Sequence, residues 1–203
     1  MNDTSRIYPN VTIGTGSVLG DFLVLGAAPR GHKEGEIETV IGNDAVIRSH
    51  TVIYAGNRIG DRFQTGHGVL VRENNRIGHS VSIGSHSIVE FSVEIGDGVM
   101  IHSNAFVPEY CVLEDGCWIG PGVTLTNARY PRSKNVKENL KGVCVGKGAK
   151  IGAGVVVLPG VVIGEHALIG AGAVVVKNVP ARAVVAGTPA RLLRQLDDIA
   201  EYE

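Results

Sequence analysis

The dominant pattern in the sequence is an aliphatic or small residue at every sixth position, without a slip. A period of six fits neither a helix, which repeats about every 3.6 residues, nor strands separated by turns of varying length. It predicts one structural unit repeated many times. The fifteen positions are Ile41, Ile47, Ile53, Ile59, Thr65, Val71, Ile77, Ile83, Val89, Ile95, Ile101, Val107, Leu113, Ile119 and Leu125.

Each hexad also has an internal pattern around the recurring position, which we call i. The residue at i−2 is usually small or β-branched, as at Ala45 and Thr51. Because i and i−2 point to the same side of an extended segment, both should face inward. Glycine often follows at i+1, as at Gly42 and Gly60, where we expect it to mark a turn. Short strands that turn the same way predict a solenoid, with three hexads in each triangular coil.

The same step extends to both sides of this central series. Ile13, Leu19 and Leu25 form one earlier coil, and the positions from Val145 to Val175 form two later ones. In all, 24 hexads predict about eight coils. The fold class we predict is therefore an all-β solenoid, a parallel β-helix that fills residues 1–189.

Two insertions interrupt the repeat, as the loops 27–38 and 127–143. Both follow the third hexad of a coil, so they should leave the prism at the same corner, five coils apart. Both are rich in Lys, Arg, Gly and Pro. Loops on a rigid scaffold are where binding residues concentrate, and these two are therefore candidates for function.

The C-terminal segment, 190–203, departs from the repeat. Pro180 and Pro189 should stop strand addition. From Ala190, the pattern of Leu192, Leu193, Leu196 and Ile199 predicts a short amphipathic helix that covers the open edge of the last coil.

Composition agrees with this picture and excludes some functions. Aromatic residues are only 5% of the chain and glycines number 28, which suits a narrow core of stacked Ile and Val. A net charge of −1 argues against a nucleic-acid partner. There is no apolar run of the roughly 20 residues that span a membrane. The first ten residues, MNDTSRIYPN, lack the apolar region of a signal peptide, so we expect none. Cys111 and Cys117 fall at i−2 and should be buried, and we expect a reducing, cytoplasmic location.

Candidate chemistry is clearest when the three faces are labelled A, B and C in chain order. Face C carries real side chains at i+1, among them Arg72 and Glu90, which could pair across one coil or line a subunit interface or ligand pocket. Both are candidate acceptor-binding residues.

Face B concentrates histidines. His102 occupies a position that is usually glycine, and Ser103 and Asn104 follow it, so these three are the candidate catalytic residues. His67 and His86, on the same face, are further candidates for acceptor binding. Stacked histidines can also bind metal, although no close pair with metal-ligand spacing is present.

The hexads of the form [LIV]-G-x4 and the ending IGAGAVVVKNVPARAVVAGTPAR resemble the left-handed β-helix, or hexapeptide-repeat, acyltransferases, from Ile13 to about Arg194. The resemblance implies left-handed winding, a homotrimer, and acyl-CoA bound in the cleft between neighbouring prisms.

A narrower resemblance begins at Gly96. The run GDGVMIHSNAFVPEYCVLEDGCWIGPGVTLTNARYPR is similar to nucleotide-sugar N-acetyltransferases, which use acetyl-CoA, without a metal, to acylate an amino group on a UDP- or dTDP-linked deoxysugar. The hexad of His102 commonly reads Gln-Asn-Asn in that subfamily and lies at its active site. By analogy, the cofactor-binding residues are Thr126, Asn127, Ala153, Ala171, Lys177, Arg182 and Arg191.

Three other functions remain open from the sequence. The chain could O-acylate a sugar hydroxyl. It could be a metal-dependent hydratase of the γ-carbonic-anhydrase type, with His ligands between subunits. It could also be a prism that serves assembly without catalysis.

Overall fold

The recurring aliphatic positions end short parallel strands in the computed structural model, which describes residues 4–200. Most strands are two or three residues long, and each pairs with the equivalent strand of the next coil. Residues 18 apart lie side by side, as Leu70 does with Ile88. Every recurring position from Leu25 to Val175 is buried. The solenoid with three hexads per coil is therefore confirmed.

Three sheets form the faces of the prism. The strands of face A are Val11–Ile13, Thr39–Ile41, Arg58–Ile59, Arg76–Ile77, Glu94–Ile95, Val112–Leu113, Cys144–Val145 and Val162–Ile163. Those of face B are Val18–Leu19, Val46–Ile47, Gln64–Thr65, Ser82–Ile83, Met100–Ile101, Trp118–Ile119, Lys150–Ile151, Leu168–Ile169 and Ala183–Ala186. Those of face C are Arg6–Ile7, Val24–Ala27, Val52–Tyr54, Leu70–Val71, Ile88–Val89, Phe106–Val107, Thr124–Leu125, Val156–Val157 and Val174–Val175.

The N-terminal end of the repeat lies one hexad earlier than the sequence pattern indicated. Arg6–Ile7 pairs in parallel with Val24 and Leu25 on face C. Ile7 is six residues before Ile13, so it continues the period. It escaped notice because this outermost strand is only half-buried and carries a charged residue at its outward position.

The turns between faces differ from the expectation for glycine. The residue with positive φ is at i+3, where Asp44, His50 and Asn104 have φ of 56°, 64° and 60°. Glycine at i+1 serves a different purpose. A Cβ at Gly60 would lie 2.8 Å from the carbonyl of Gly78 in the next coil. Only glycine lets consecutive coils approach this closely, so i+1 marks close stacking rather than the turn itself.

Both insertions leave the prism where face C passes to face A, as predicted. The first occupies 28–38, because Ala27 still belongs to a strand, and the second lies between Leu125 and Cys144. Their parent strands are five positions apart in the face C sheet. The second loop contains a one-turn 3-10 helix, Val136–Asn139.

The predicted C-terminal helix is wrong. Arg191–Gln195 is instead a strand that pairs antiparallel with Ala183–Ala186 at the end of face B, and a 3-10 turn, Leu196–Asp198, follows it. The open edge of face B offers unpaired backbone groups, and pairing with them satisfies the segment better than an isolated helix of this length could. Residues 201–203 of the predicted tail lie outside the described part of the chain.

The prediction that Cys111 and Cys117 are buried is confirmed, and two inward asparagines also find partners. Cys111 and Cys117 are buried free thiols, and burial raises the pKa of each to about 12, so they are unreactive packing residues. Asn57 and Asn75 form a ladder, although through the backbone: the Asn75 amide N–H donates to Oδ1 of Asn57 at 3.0 Å.

Candidate active site on edges B/C and C/A

The predicted site residues lie mainly on two of the three edges of the prism, which we name after the faces that they join. Edge B/C carries His67, His86, His102, Ser103, Asn104, Ala153 and Ala171. Edge C/A carries Arg72, Glu90, Thr126, Asn127 and Lys177. Arg182 is on edge A/B, and Arg191 is in the terminal strand. Face C therefore has a group of candidates along each of its two borders.

His102 projects from edge B/C and is exposed, while its backbone is fixed. Its amide N–H donates to the carbonyl of Ile119 at 2.8 Å, and its carbonyl accepts from the Ser87 hydroxyl at 2.8 Å. The imidazole packs against the indole of Trp118, with ring centroids 4.6 Å apart. An exposed imidazole held by aromatic packing can accept a proton from a bound substrate.

A shallow recess on face B begins at His102. It has a volume of about 230 Å³, and His102 and Ser103 line one end of it. The other lining residues are Gln64, Thr65, Gly66, Ser82, Ile83, Gly84, Met100 and Ile101. Five of these ten lining residues are polar and two are glycines, which suits a hydroxylated ligand the size of a sugar ring.

Edge A/B shows how the turn amides of this fold are normally satisfied. The Asn43 amide donates to Oδ1 of Asp61 at 2.8 Å, and that of Asp61 donates to Nδ1 of His79 at 3.0 Å. The His79 amide continues the ladder to Asp97 at 2.7 Å, and the Asp97 amide to Asp115 at 2.9 Å. In these four coils, each amide at i+2 thus finds a side-chain acceptor one coil further along.

On edge B/C this ladder is broken: of the i+2 amides before His102, that of His67 donates to the Ser85 hydroxyl, whereas those of Ser49 and Ser85 have no acceptor among residues 4–200. Within residues 4–200, the amides of Ser103, Ala153 and Ala171 have no hydrogen-bond acceptor. The equivalent residues in the following coils are Pro121 and Ala171, whose side chains accept nothing. A Cβ at Gly152 would lie 2.6 Å from the Ala171 nitrogen, so glycine there keeps that amide open. The result is a row of exposed N–H donors that leads away from His102.

His67 and His86 belong to the same edge but not to the recess. Nδ1 of His67 is 2.7 Å from the Ser49 hydroxyl, and its amide donates to the Ser85 hydroxyl at 3.0 Å. His86 has positive φ, and its ring lies over Gly68. Their role in acceptor binding stays a prediction.

Edge C/A holds a compact charged cluster around Arg72. Its guanidinium makes two hydrogen bonds to Glu73, at 2.8 and 2.9 Å, and one to Glu90 at 3.3 Å, so the predicted Arg72–Glu90 pair is confirmed. The Glu73 carboxylate raises the pKa of Arg72 further. Burial raises the pKa of Glu90, and Arg72 opposes this effect only in part. Tyr54 packs under the guanidinium, 5.1 Å from its ring centroid.

Thr126 and Asn127 begin the second loop on this edge. The Thr126 hydroxyl donates to the carbonyl of Val157 at 2.7 Å, and the Asn127 amide group donates to Glu109 at 2.6 Å. Asn127 is nearly buried. Both side chains therefore tie the loop to the prism. Thr126 also lines an apolar groove of about 330 Å³ with Leu158 and Val176.

The cations that the resemblance assigns to CoA phosphates separate in the structure. Lys177 and Arg191 line one cavity of about 330 Å³ at the end of the prism. Arg182 lies elsewhere and forms an ion pair with Asp197. Of the three, only Lys177 and Arg191 are brought together.

Sequence reasoning missed two features of the site. Trp118 packs against His102 and is the single tryptophan of the chain. It occupies the outward i−1 position one coil after His102, and this spacing could have been recognised in the sequence. The open amides could not be recognised, because they depend on which residues stack 18 positions apart.

In the described part of the chain, no three His, Cys, Asp or Glu side chains are grouped closely enough to hold a metal ion. No helix among residues 4–200 has the length and apolar character that a membrane span requires.

Comparison with known proteins agrees with this geometry. Residues 92–127 and 144–177 match the family model described as bacterial transferase hexapeptide (six repeats). Residues 74–108 match the hexapeptide repeat of succinyl-transferase. The repeats of this chain are therefore similar to those of the bacterial hexapeptide-repeat transferases, and the left-handed β-helix class expected from the sequence is confirmed.

Among solved structures, a hexapeptide-repeat acetyltransferase of Vibrio cholerae O1 biovar eltor, complexed with acetyl coenzyme A, is 29% identical. The match covers 59% of this chain and 69% of that one, with a TM-score of 0.53. The acetyltransferase domain of PglB from Neisseria gonorrhoeae is 26% identical over 62% of this chain and 54% of that one, with a TM-score of 0.54.

A GDP-perosamine N-acetyltransferase from Caulobacter crescentus, complexed with CoA and GDP-perosamine, is 27% identical. The match covers 71% of this chain and 57% of that one, with a TM-score of 0.42.

Proposed function

We propose that this protein is an acetyl-CoA-dependent acetyltransferase that acts on the amino group of a nucleotide-linked amino-deoxysugar. The observation that carries the proposal is the row of open amides at Ser103, Ala153 and Ala171 on edge B/C, which lies beside His102. The similarity to an acetyltransferase that binds acetyl coenzyme A supports it.

In this proposal the amide groups of the pantetheine arm accept hydrogen bonds from the backbone N–H groups of Ala153 and Ala171. The thioester then lies at His102, and the CoA phosphates extend toward Lys177 and Arg191, whose charges suit them. The acceptor sugar occupies the recess on face B. The open amide of Ser103 is placed to donate to the oxyanion that forms on the thioester carbonyl.

The reaction forms one C–N bond and breaks one C–S bond. The neutral amine of the sugar attacks the thioester carbonyl, and the tetrahedral intermediate collapses with loss of the CoA thiolate. His102 accepts the proton that the amine nitrogen loses and passes it to the departing sulfur. Asn104, in the same turn, orients the sugar.

The test is His102→Ala, assayed by thiol release with acetyl-CoA and a panel of dTDP-, UDP- and GDP-linked amino sugars. We expect kcat/KM to fall about 100-fold or more, as for a typical general base. His166→Ala, at an exposed histidine on edge A/B, is the matched control and should keep full activity. A decrease smaller than about tenfold would show that His102 is not the base.

O-acetylation of a sugar hydroxyl is the second candidate, and the imidazole at position 102 is the observation that favours it. A hydroxyl is a much weaker nucleophile than a neutral amine and depends more on a base. His102→Gln separates the two. It should lower activity toward amines about 100-fold, as His102→Ala does, and lose nearly all activity toward hydroxyls.

We also propose that the protein is a homotrimer that works in the cytoplasm, where its free thiols stay reduced. Face C supports the trimer, because its outward side chains are apolar at every coil from Val24 to Val174 except Thr124. They are Val24, Val52, Leu70, Ile88, Phe106, Val156 and Val174. A continuous apolar stripe of this length is unusual on a monomer. Sedimentation velocity should give three times the chain mass of 21.3 kDa, and a monomer would contradict the proposal.

A further inference from the structure

The second loop encloses a cavity that the proposed reaction has not yet used. Its volume is about 320 Å³, within the range of small-molecule sites. Its lining residues are Arg129, Tyr130, Ser133, Lys134, Val136, Asn139, Lys141 and Pro159. Three of these eight are cations and none is acidic, so the cavity is strongly electropositive.

The positive charges of this cavity are not neutralised by the protein. Among the side chains of residues 4–200, no carboxylate lies within ion-pair distance of Arg129, Lys134 or Lys141. Like charges held close together repel one another, so an anion that enters is attracted by all three. A Ser hydroxyl and a Tyr ring in the same wall add a hydrogen-bond donor and a stacking surface.

The loop backbone holds these side chains in a defined place. The Lys141 amide donates to the carbonyl of Asn127 at 2.9 Å, and the Lys141 carbonyl accepts from the amide of Gly160 at 3.0 Å. Further along, the Ser133 amide donates to the carbonyl of Tyr130 at 3.1 Å. The cavity is therefore formed before a ligand arrives, which lowers the entropic cost of binding.

The cavity opens onto the groove on edge C/A. Arg129 and Pro159 line both the basic cavity and the apolar groove. Val176 in turn lines both the groove and the cavity of Lys177 and Arg191. Three adjoining depressions thus follow one another along the edge, with basic residues in the outer two and an apolar groove between them. The two basic cavities offer a separate site for each of two phosphate-bearing ligands.

We propose that the loop cavity binds the diphosphate of the nucleotide-linked acceptor, while the cavity at the end of the prism is left for the phosphates of CoA. This inference rests on the proposed function and specifies its substrate class. Arg129 pairs with one phosphate through its planar guanidinium, and Lys134 and Lys141 contribute point charges to the other. The nucleoside lies against Tyr130.

The experiment is direct binding by calorimetry, with UDP, dTDP and GDP as probes of the acceptor and CoA as a probe of the donor. The test variant is R129Q with K134Q. The matched control is R132Q with K137Q, which removes the same two charges from the same loop outside the cavity. We expect the test variant to weaken binding of at least one nucleoside diphosphate about tenfold or more and to leave CoA binding unchanged.

Two results would overturn the assignment. One is nucleoside diphosphate binding that is equal in the test and control variants. The other is a loss of CoA affinity with nucleotide affinity kept, which would mean that the cavity holds the donor. Because these are binding measurements, they are independent of acetyl transfer. A wild-type protein that binds a nucleoside diphosphate through Arg129 but transfers no acetyl group would disprove the proposed function alone.

Discussion

Edges B/C and C/A border the same face of the prism, yet they are built in opposite ways. On edge B/C, the turns that follow Asn104 present only Ala, Pro and Gly, and open backbone amides lie at Ala153 and Ala171. On edge C/A, large residues such as Tyr54, Arg72 and Glu90 occupy i+1, and both loops leave the prism there. The same repeat thus presents a row of backbone N–H donors along one edge and charged side chains with two loops along the other.

The difference shows that coil stacking limits the size of the side chain at i+1 on two edges and does not limit it on the third. On edges A/B and B/C, a side chain at i+1 usually meets the backbone of the next coil, so glycine predominates. On edge C/A no such restriction applies, and side chains and insertions accumulate. In a trimer with heterologous contacts, edge B/C of one copy can face edge C/A of the next, which would bring His102 to the loop cavity.

The largest expected effect concerns this stacking restriction. Gly60→Ala on edge A/B places a Cβ 2.8 Å from the Gly78 carbonyl, in a backbone that cannot yield easily. Overpacking of this kind should lower the free energy of unfolding by about 1–3 kcal/mol. Leu158→Ala on edge C/A, where the side chain is partly exposed, should cost well under half as much. Urea denaturation measures both, and equal losses would show that the edges do not differ.

An intermediate effect is expected from removing one of the open N–H groups on edge B/C. Ala153→Pro removes one open N–H group, and the backbone should accept proline because Pro121 occupies the equivalent position. Loss of one hydrogen bond of about 1 kcal/mol should raise the KM for acetyl-CoA roughly fivefold. Ala153→Ser keeps the N–H and is the control. If the two variants have the same KM for acetyl-CoA, this amide does not bind the pantetheine arm.

The smallest effect concerns the charged cluster around Arg72 on edge C/A. Since burial raises the pKa of Glu90 above its ordinary 4.5, the folded protein binds this proton more tightly than the unfolded chain does. The stability contributed by Glu90 therefore falls as pH rises from 4.5 through the raised pKa, and its charge is unfavourable at pH 7. Glu90→Gln should raise Tm slightly at pH 7 and leave it unchanged well below pH 4.5.

Glu73→Gln provides the contrast, because Glu73 makes the two short hydrogen bonds to Arg72. Its replacement should lower Tm at pH 7. Thermal denaturation across pH 3 to 8 distinguishes the two, and a lower Tm at pH 7 for Glu90→Gln would contradict the reading of its pKa.

Much of the fold was predictable because the six-residue period is local information. The inward positions, the number of coils and the shared corner of the two loops all follow from spacing. The C-terminal strand was not predictable, since the apolar spacing after Ala190 suits a helix equally well. Its conformation is decided by the sheet edge that Ala183–Ala186 leaves open, which lies outside the segment itself.

The candidate site divides in the same way. His102 was recognisable as an exception in a glycine column, and Arg72 and Glu90 as a pair one coil apart. The cavity of Arg129, Lys134 and Lys141 was visible only as a basic composition of the loop. The path of the loop, and therefore which of its cations converge, depends on its hydrogen bonds to Asn127 and Gly160.

By itself, the sequence determined that this chain winds into a three-sided column, because aliphatic residues every six positions can be buried together in no simpler way. Tertiary structure alone decided which amides remain open beside His102 and which cations share a cavity. Hydrogen bonds and charge repulsion act between atoms brought close by stacking and loop closure, and these distances are not contained in the spacing of residues along the chain.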